Sequence, residues 1–537
     1  MTGERAGSRL SDHADRRRAV TEFDRNLVVV AGAGTGKTAL LVERALNLIA
    51  GAGTPIDRVA AITFTEKTAA ELRERLARGL DELHALARDD ARPALPPDTE
   101  ARRSYAWLRD ERRIAPETIA GRALGALLDL DFAPVSTLHA FCSDILRRHP
   151  RQAGVDPDFR VDEGPSFQAL FAEEWDAFLA EELGPDAGRP ALWRRALGRE
   201  GALNAVRDLG AALASFRLPW DARSERAYGP APPGALFGTE IAALRARNAT
   251  LRSRCSGMDR SFAIFLDLTA HYLEAFLDRG PRGMALVEGD WTLQDYLRKK
   301  VPAPGRNLTG VSADEALEVA GRAQELVAAF SRVDEEIIAT LVEAAAPLAR
   351  RARERLLAAG FVSFDALLRL TRDLLASHPP VRRELGARHR AILVDEFQDT
   401  DPLQYEILLF LAEEEGPPAQ DAYEARLVSG RLFIVGDPKQ SIYRFRGADI
   451  EAYRRAVGRI IDCGGDFLTL NNSFRSPSEI VAPINVLFEP FIGRDTTNEQ
   501  PAYDPIVSAR GPAGRGSPLV EIWSVAAAGN VQERRRA

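Results

Sequence analysis

Cysteine is scarce in this chain: Cys142, Cys255 and Cys463 are the only three in 537 residues, and they lie far apart. That excludes a disulfide framework, a Cys-x-x-Cys zinc site and a four-cysteine iron–sulfur cluster built from this chain alone. It fits a reducing compartment, and a cytoplasmic location is expected. Long hydrophobic runs are missing as well, so no bilayer-spanning helix and no membrane partner are expected. Residues 1–20 are polar and arginine-rich, without the apolar stretch of a secretory signal. Nor does charge of one sign dominate. The net charge of −7 does not mark the whole chain as a nucleic-acid binder, although local basic grooves and stacking side chains can hold a strand without it. Lysine is the scarcest charged residue: Lys37, Lys67, Lys299, Lys300 and Lys439 are the only five among 71 basic residues. Where a compact point charge must fit among phosphates, arginine is a poor substitute. The surviving lysines therefore mark positions worth inspecting.

What is present is an ordinary globular mixture, 45% hydrophobic and 28% charged, in a chain long enough for three or four domains. Residues 27–31 (LVVVA) read as a short buried strand, followed by a Gly-rich turn and a helical run over residues 38–50. Residues 59–64 (VAAITF) form a second such strand before a helix over 67–80. Short, continuously apolar strands alternating with helices predict an α/β fold, a parallel sheet covered on both faces. Residues 93–97 are Pro-rich and read as a loop beside a short helical insertion near 85–125. From about residue 159 to residue 390, long Ala/Leu/Arg/Glu stretches have helical periodicity. The strand pattern resumes at residues 391–394 (AILV) and 432–435 (LFIV), with an acidic, Pro-containing surface loop at 413–424 between them. A last strand is expected at 519–525, after a Gly/Pro-rich segment at 511–517.

Two motifs carry chemistry. Ala31-Gly-Ala-Gly-Thr-Gly-Lys-Thr38 stands between a strand and a helix. A P-loop needs small residues so that backbone N–H groups can wrap phosphates, a lysine to reach the β- and γ-phosphates, and a hydroxyl for Mg²⁺. Ala31, Gly32, Ala33, Gly34, Thr35, Gly36, Lys37 and Thr38 supply these, with Ala31 in place of the usual first glycine. The bland alternative is a Gly-rich turn that contains Lys-Thr by chance. Leu393-Val-Asp-Glu-Phe-Gln-Asp-Thr400 is an apolar strand ending in acids. There Asp395 would hold Mg²⁺, directly or through water, and Glu396 would act as general base on an attacking water. Read alone it could be a solvated strand end. Together the two motifs predict ATP and Mg²⁺ as cofactors.

Five further stretches distinguish this chain from other P-loop ATPases. Thr63-Phe-Thr-Glu-Lys-Thr-Ala-Ala-Glu-Leu-Arg73 resembles motif Ia of UvrD/RecB-type (superfamily 1A) helicases, and Ser136-Thr-Leu-His-Ala-Phe141 resembles their next DNA-contacting motif. Asp395-Glu-Phe-Gln-Asp-Thr-Asp-Pro-Leu-Gln404 is similar to motif II. Val435-Gly-Asp-Pro-Lys-Gln-Ser-Ile-Tyr-Arg-Phe-Arg-Gly447 is similar to motif III, and Leu470-Asn-Asn-Ser-Phe-Arg-Ser476 to motif IV. The resemblance implies that Phe64 and Phe445 stack on bases of a single strand. It also implies that Thr63, Thr137 and His139 contact the DNA backbone; without the motif, His139 would read as a packed core histidine. Gln440 would sense the γ-phosphate and couple it to Tyr443 and Phe445. Arg475 would approach the γ-phosphate as an arginine finger from a second motor domain. Lys37, Glu396, Gln440 and Arg475 are thus the expected catalytic set, and Thr38 with Asp395 the expected metal ligands.

The resemblance implies a RecA-like P-loop domain with a large, mainly helical insertion and the start of a second RecA-like domain. In residue ranges, domain 1A would occupy 1–158 and 386–450, the helical 1B-type insertion 159–385, and domain 2A would begin at 451–537. The length of that insertion leans towards the RecB/AddA, exonuclease-associated branch. Three departures stand out. Arg16 occupies the place of the adenine-reading glutamine. Family members usually have Trp where Phe445 stands. Ser363-Phe-Asp-Ala-Leu-Leu368 keeps Asp365 but has Ala366 where a second aspartate is usual. Nothing after Arg475 resembles motif V or VI, so a chain incomplete as a motor is expected. The leading expectation is an ATP-dependent 3′→5′ DNA helicase of repair or recombination, acting on single strands or single/double-strand junctions. A nucleotide- and single-strand-binding fragment stays open. So does a subunit that another chain completes, and a nuclease subunit is a further expected partner.

Overall fold

The computed structural model describes residues 11–89, 98–216, 241, 244–252, 257–287, 291–305, 309–331, 335–442, 449–493, 502–510 and 520. The chain forms two compact units. One is made of Met1–Val161 with Ala366–Ala537, the other of Asp162–Asp365.

The first unit is built on a six-stranded parallel sheet. Its strands are β1 (Leu27–Ala31), β2 (Val59–Thr63), β3 (Val135–Thr137), β6 (Ala391–Val394), β7 (Leu432–Gly436) and β8 (Asp466–Leu470). Two short strands, β4 (Arg160–Asp162) and β5 (Phe361–Ser363), fall between β3 and β6 in the chain. The sheet order is β3-β2-β6-β7-β1-β8. Every residue of β1, β2, β6 and β7 is buried, which is why these strands read as unbroken apolar runs: helices cover both faces. Each such Val, Leu or Ile withdraws its side chain from water for roughly 1.5–3 kcal/mol. In register, Leu27 pairs with Phe433 on one side and Asp466 on the other, and Ala61 pairs with Leu393 on one side and Val135 on the other. The segment after motif III thus returns to this sheet, with β8 as its edge beside β1.

Because all six strands run the same way, their carboxyl ends share one edge, where ligands of open α/β sheets bind. The turns after β1, β2, β3, β6 and β7 carry the P-loop and four of the five further motifs. Helix Lys37–Leu46 leaves the β1 turn and buries Leu40, Leu41 and Leu46. Its Arg44 is fully buried, with the guanidinium 4.2 Å from the Phe433 ring centre and 5.1 Å from that of Phe23. Its Nη1 donates to the Ala19 carbonyl at 2.6 Å. Burial without a carboxylate partner pulls the Arg44 pKa down to about 9. Helices Glu66–Arg88, Glu100–Ala106 and Pro116–Leu128 lie between β2 and β3 in the chain. After β8 the chain pairs β9 (Asn472–Pro477) with β10 (Val507–Arg510).

The second unit is helical. Helices Pro165–Glu182, Pro190–Ala196, Ala202–Ala214 and Glu335–Ala358 share a core of Phe171, Trp175, Phe178, Trp193, Val206 and Leu348. Helices Arg260–Ala285, Leu293–Arg298 and Ala313–Ser331 close over Phe262, Phe265, Tyr272, Tyr296 and Phe330. A deep polar contact there is satisfied internally, Thr269 Oγ1 lying 2.7 Å from the Tyr296 hydroxyl. No helix among the described residues is long and apolar enough to cross a membrane. The expected loop at 93–97, the Gly/Pro-rich segment at 511–517 and the expected strand at 519–525 (save residue 520) lie outside the described residues, as do Cys255, Tyr443 and Phe445.

Candidate functional site

The turn after β1 is shaped by two glycines in the left-handed region, Gly34 at φ 76° and Gly36 at φ 87°. Thr35 between them is fully buried, its hydroxyl donating to the Gly32 carbonyl at 2.8 Å. Gly36 caps helix Lys37–Leu46 without a side-chain hydrogen bond. Helices beginning at Glu66, Glu100 and Leu138, by contrast, are each capped by a threonine. A helix start with no side-chain cap leaves its first N–H groups and its positive dipole end to an outside anion. Thr38 stands in the first turn of that helix.

The end of β6 brings charge to this turn. The Lys37 ammonium lies 2.7 Å from Glu396 Oε2, past the end of β6, with side-chain exposures of 12% and 33%. Glu396 is held at φ 50°, one of four described non-glycine residues with positive φ. A non-glycine residue there costs of order 1–3 kcal/mol and is retained where its surroundings demand it. The surroundings here are the Lys37 contact, a Gln398 Nε2–H donated to the same Oε2 at 2.8 Å, and the Glu396 N–H, which donates to Asp395 Oδ1 at 3.0 Å.

Burial, then the negative charge of Glu396, pushes the Asp395 pKa up from 3.8 to about 6; Lys37 and the Glu396 N–H oppose the rise. Asp399 is likewise raised to about 6, by burial first and Glu396 second. Its Oδ1 is buried without a hydrogen-bond partner. A desolvated carboxylate beside a second one is the arrangement that a divalent cation relieves. Thr38 and Asp395 therefore fit the expected metal ligands in chemistry. Among the described residues no three His, Cys, Asp or Glu cluster as a metal site.

Gln398 links this site to motif III. Its Oε1 accepts the Asp437 N–H at 2.9 Å, and its own carbonyl accepts the Ser441 hydroxyl at 3.1 Å. The approach needs glycine at the end of β7, because a Cβ on Gly436 would stand 2.5 Å from Gln398 Oε1 and 3.2 Å from the Phe397 nitrogen. Gln440 Nε2 donates to Asp437 Oδ2 at 2.8 Å, so Gln440 meets Glu396 through Asp437 and Gln398. The sequence reading assigned no role to Gln398 or Asp437, although both lie inside the motifs. The available signal was the pairing of a short polar run after β6 with a glycine ending β7.

Arg475 reaches the same turn from β9. Phe474 donates its N–H to the Gly34 carbonyl at 2.8 Å, and the Ser473 hydroxyl donates to the Ala33 carbonyl at 3.2 Å. A Cβ on Gly34 would be 2.5 Å from that of Arg475. The structure thus gathers Lys37, Thr38, Asp395, Glu396 and Arg475 around one loop.

The residues expected on the DNA side lie farther along the same sheet edge. Thr63 and Thr137 are register partners at the ends of β2 and β3. The Thr63 hydroxyl donates to the Thr65 carbonyl at 3.2 Å. That of Thr137 donates to Glu66 Oε1 at 2.7 Å and caps its helix by accepting the Ala140 N–H at 3.2 Å. Phe64 follows β2 and is half-buried. Burial lowers the His139 pKa to about 4, so its imidazole is uncharged at neutral pH. The other two expected members, Tyr443 and Phe445, fall outside the described residues.

Residues 13–459 match the UvrD/REP helicase N-terminal domain. The chain is 29% identical over 528 residues to the A subunit of the ATP-dependent helicase/nuclease of Desulforudis audaxviator, covering 87% of this chain and 38% of that protein. Identity to the protein of the same name in Bacillus licheniformis is 28% over 545 residues, 91% of this chain and 40% of the relative. For Geobacillus kaustophilus it is 27% over 571 residues, 93% and 40%. The chain spans about two-fifths of the length of these relatives.

Proposed function

The chain belongs to the UvrD/REP helicase N-terminal domain family, and from that premise we propose that it is the ATP-binding part of a DNA helicase motor of repair or recombination. The carrying observation is the 2.7 Å contact between Lys37 and Glu396, which unites the phosphate-binding lysine and the candidate general base. ATP would lie with its phosphates on the N–H groups of Gly34 to Thr38, Lys37 passing from Glu396 to the β- and γ-phosphates. Mg²⁺, held by Thr38 and Asp395, would neutralise charge developing on those phosphates. Glu396, released from Lys37, would orient the attacking water and take its proton. Arg475 would add positive charge on the γ-phosphate side. Gln440, through Asp437 and Gln398, would carry the state of that phosphate towards Tyr443 and Phe445.

The strand would run past Thr63, Phe64, Thr137 and His139 at the β2 and β3 end of the sheet, as a single strand or at a junction with duplex. Movement would be 3′→5′, and the setting cytoplasmic. The relatives are named helicase/nuclease subunits. The proposed assembly therefore includes a segment or chain supplying the other half of the motor, together with a nuclease subunit.

ATP turnover with and without single-stranded DNA tests the proposal, with Glu396→Gln as control. DNA-stimulated hydrolysis that disappears in the control, while nucleotide still binds, is the expected result. Turnover unchanged in Glu396→Gln would overturn the assignment. No turnover in the parent chain, with nucleotide and DNA both bound, would favour the reading as a binding fragment that another chain completes. Polarity is read by displacing streptavidin from biotin placed at either strand end, the 5′ end being the one expected to clear.

A further inference from the structure

A cavity of about 600 Å³ opens beside the phosphate turn, bounded by Arg16, Val20, Gly36, Ala39, Trp107 and Phe474. Its size is that of a small-ligand pocket. It starts at Gly36 and follows one side of helix Lys37–Leu46, so a nucleotide with its phosphates on the turn has this space for its base and sugar. Within it, Phe474 is half-exposed and offers a ring face, with the Arg16 guanidinium 4.9 Å from the ring centre.

Arg16 is fixed on two sides. Its Nε and Nη2 donate to Asp12 Oδ1 and Oδ2, each at 3.1 Å, and Nη2 also donates to the Asn472 carbonyl at 3.3 Å. Asp12 is itself anchored, accepting the N–H groups of Asn471 and Asn472 at 3.0 and 2.9 Å. The remaining nitrogen, Nη1, faces Gly36, 3.8 Å from where a Cβ there would stand. The edge presented to a base is thus a guanidinium nitrogen that can donate and never accept.

Resting on the proposed nucleotide site, we propose that Arg16 determines base selectivity and that this chain binds guanine nucleotides at least as well as adenine nucleotides. Guanine offers two acceptors, O6 and N7, to a donor-only group. Adenine offers N7 but sets its N6 amino group, itself a donor, against Arg16. A glutamine amide could accept from N6 and donate to N7; Arg16 has no acceptor with which to do so. The Asp12 clamp keeps the guanidinium from turning away, which makes the mismatch with adenine persistent.

The experiment is displacement of a ribose-labelled fluorescent ADP from the 537-residue chain by ATP, GTP and ITP. ITP has the O6/N7 edge of GTP without its 2-amino group. GTP and ITP are expected to compete at concentrations equal to or below that of ATP. Arg16→Gln is expected to move the ratio towards ATP by about tenfold, the discrimination of one good base contact. ATP competing ~10-fold better than both others in the parent chain would overturn the proposal, as would a ratio unmoved in Arg16→Gln. Should that variant fail to fold, the ranking of ITP still decides: ITP competing only as weakly as ATP while GTP competes more tightly refutes the O6/N7 argument. Failure of all three nucleotides, and of the probe, to bind would instead overturn the nucleotide site itself.

Discussion

Replacing Asp395 by asparagine should stabilise the ligand-free protein while impairing its function. Burial and the neighbouring Glu396 raise the Asp395 pKa from 3.8 to about 6. In the unfolded chain it returns to the lower value, so above pH 6 folding forces an ionised carboxylate into a site that disfavours it. Over about two pH units, at ~1.4 kcal/mol each, the cost is about 3 kcal/mol. An asparagine side chain would avoid that cost and keep an oxygen to accept the Glu396 N–H, as Asp395 Oδ1 does. The sign follows from proton linkage. Between about pH 4 and 6 the folded state holds more protons than the unfolded state, so this destabilisation grows as pH rises through that window and is absent below it. Urea unfolding at pH 8 should therefore show Asp395→Asn more stable by roughly 2–3 kcal/mol, with the advantage falling by about half at pH 5. Addition of Mg²⁺ and ADP should raise the melting temperature of the parent chain and do little for the variant. A variant no more stable than its parent at pH 8, or an advantage of equal size at pH 5, would refute the reasoning.

Two other perturbations probe the sheet edge. Phe64→Ala should weaken single-strand binding by about 1–3 kcal/mol if its ring stacks on a base, measured by fluorescence anisotropy with a short oligonucleotide; unaltered affinity would remove Phe64 from the DNA side. Gly436→Ala should cost about 1–3 kcal/mol in thermal or urea unfolding, since its Cβ must displace Gln398 Oε1 or the Phe397 nitrogen. Stimulation of turnover by DNA should fall in that variant more than basal turnover does, and equal losses in both would argue against a coupling role for Gln398.

How much of this was legible beforehand follows from the range of the forces involved. β1, β2, β6 and β7 could be read because both faces are buried and apolar residues fill every position. The glycine-rich turn after β1 and the acids after β6 were legible because the residues that shape each are neighbours in sequence. What escaped depends on approaches between distant segments. Gln398 reaches Asp437 only because Gly436 leaves space. Asp466 opens an edge strand whose burial is partial and whose pattern is correspondingly weak. Arg16 meets Phe474 across more than four hundred residues of chain, a contact that no local periodicity could announce. His139, marked by its motif as a DNA contact, owes its lowered pKa to the packing around it.

The pairing of Lys37 with Glu396 has a consequence for what the site does to water before a nucleotide arrives. While the ammonium holds the carboxylate, the proposed base is committed to an internal counter-ion. An incoming triphosphate, a stronger claimant for the lysine, would set the carboxylate free. On the proposed mechanism the pair would behave as an interlock: substrate occupancy would be the key that releases the group which then acts on the substrate. Without it, a carboxylate on a residue held at φ 50° would stay latched in a pose useful only once the phosphates had arrived.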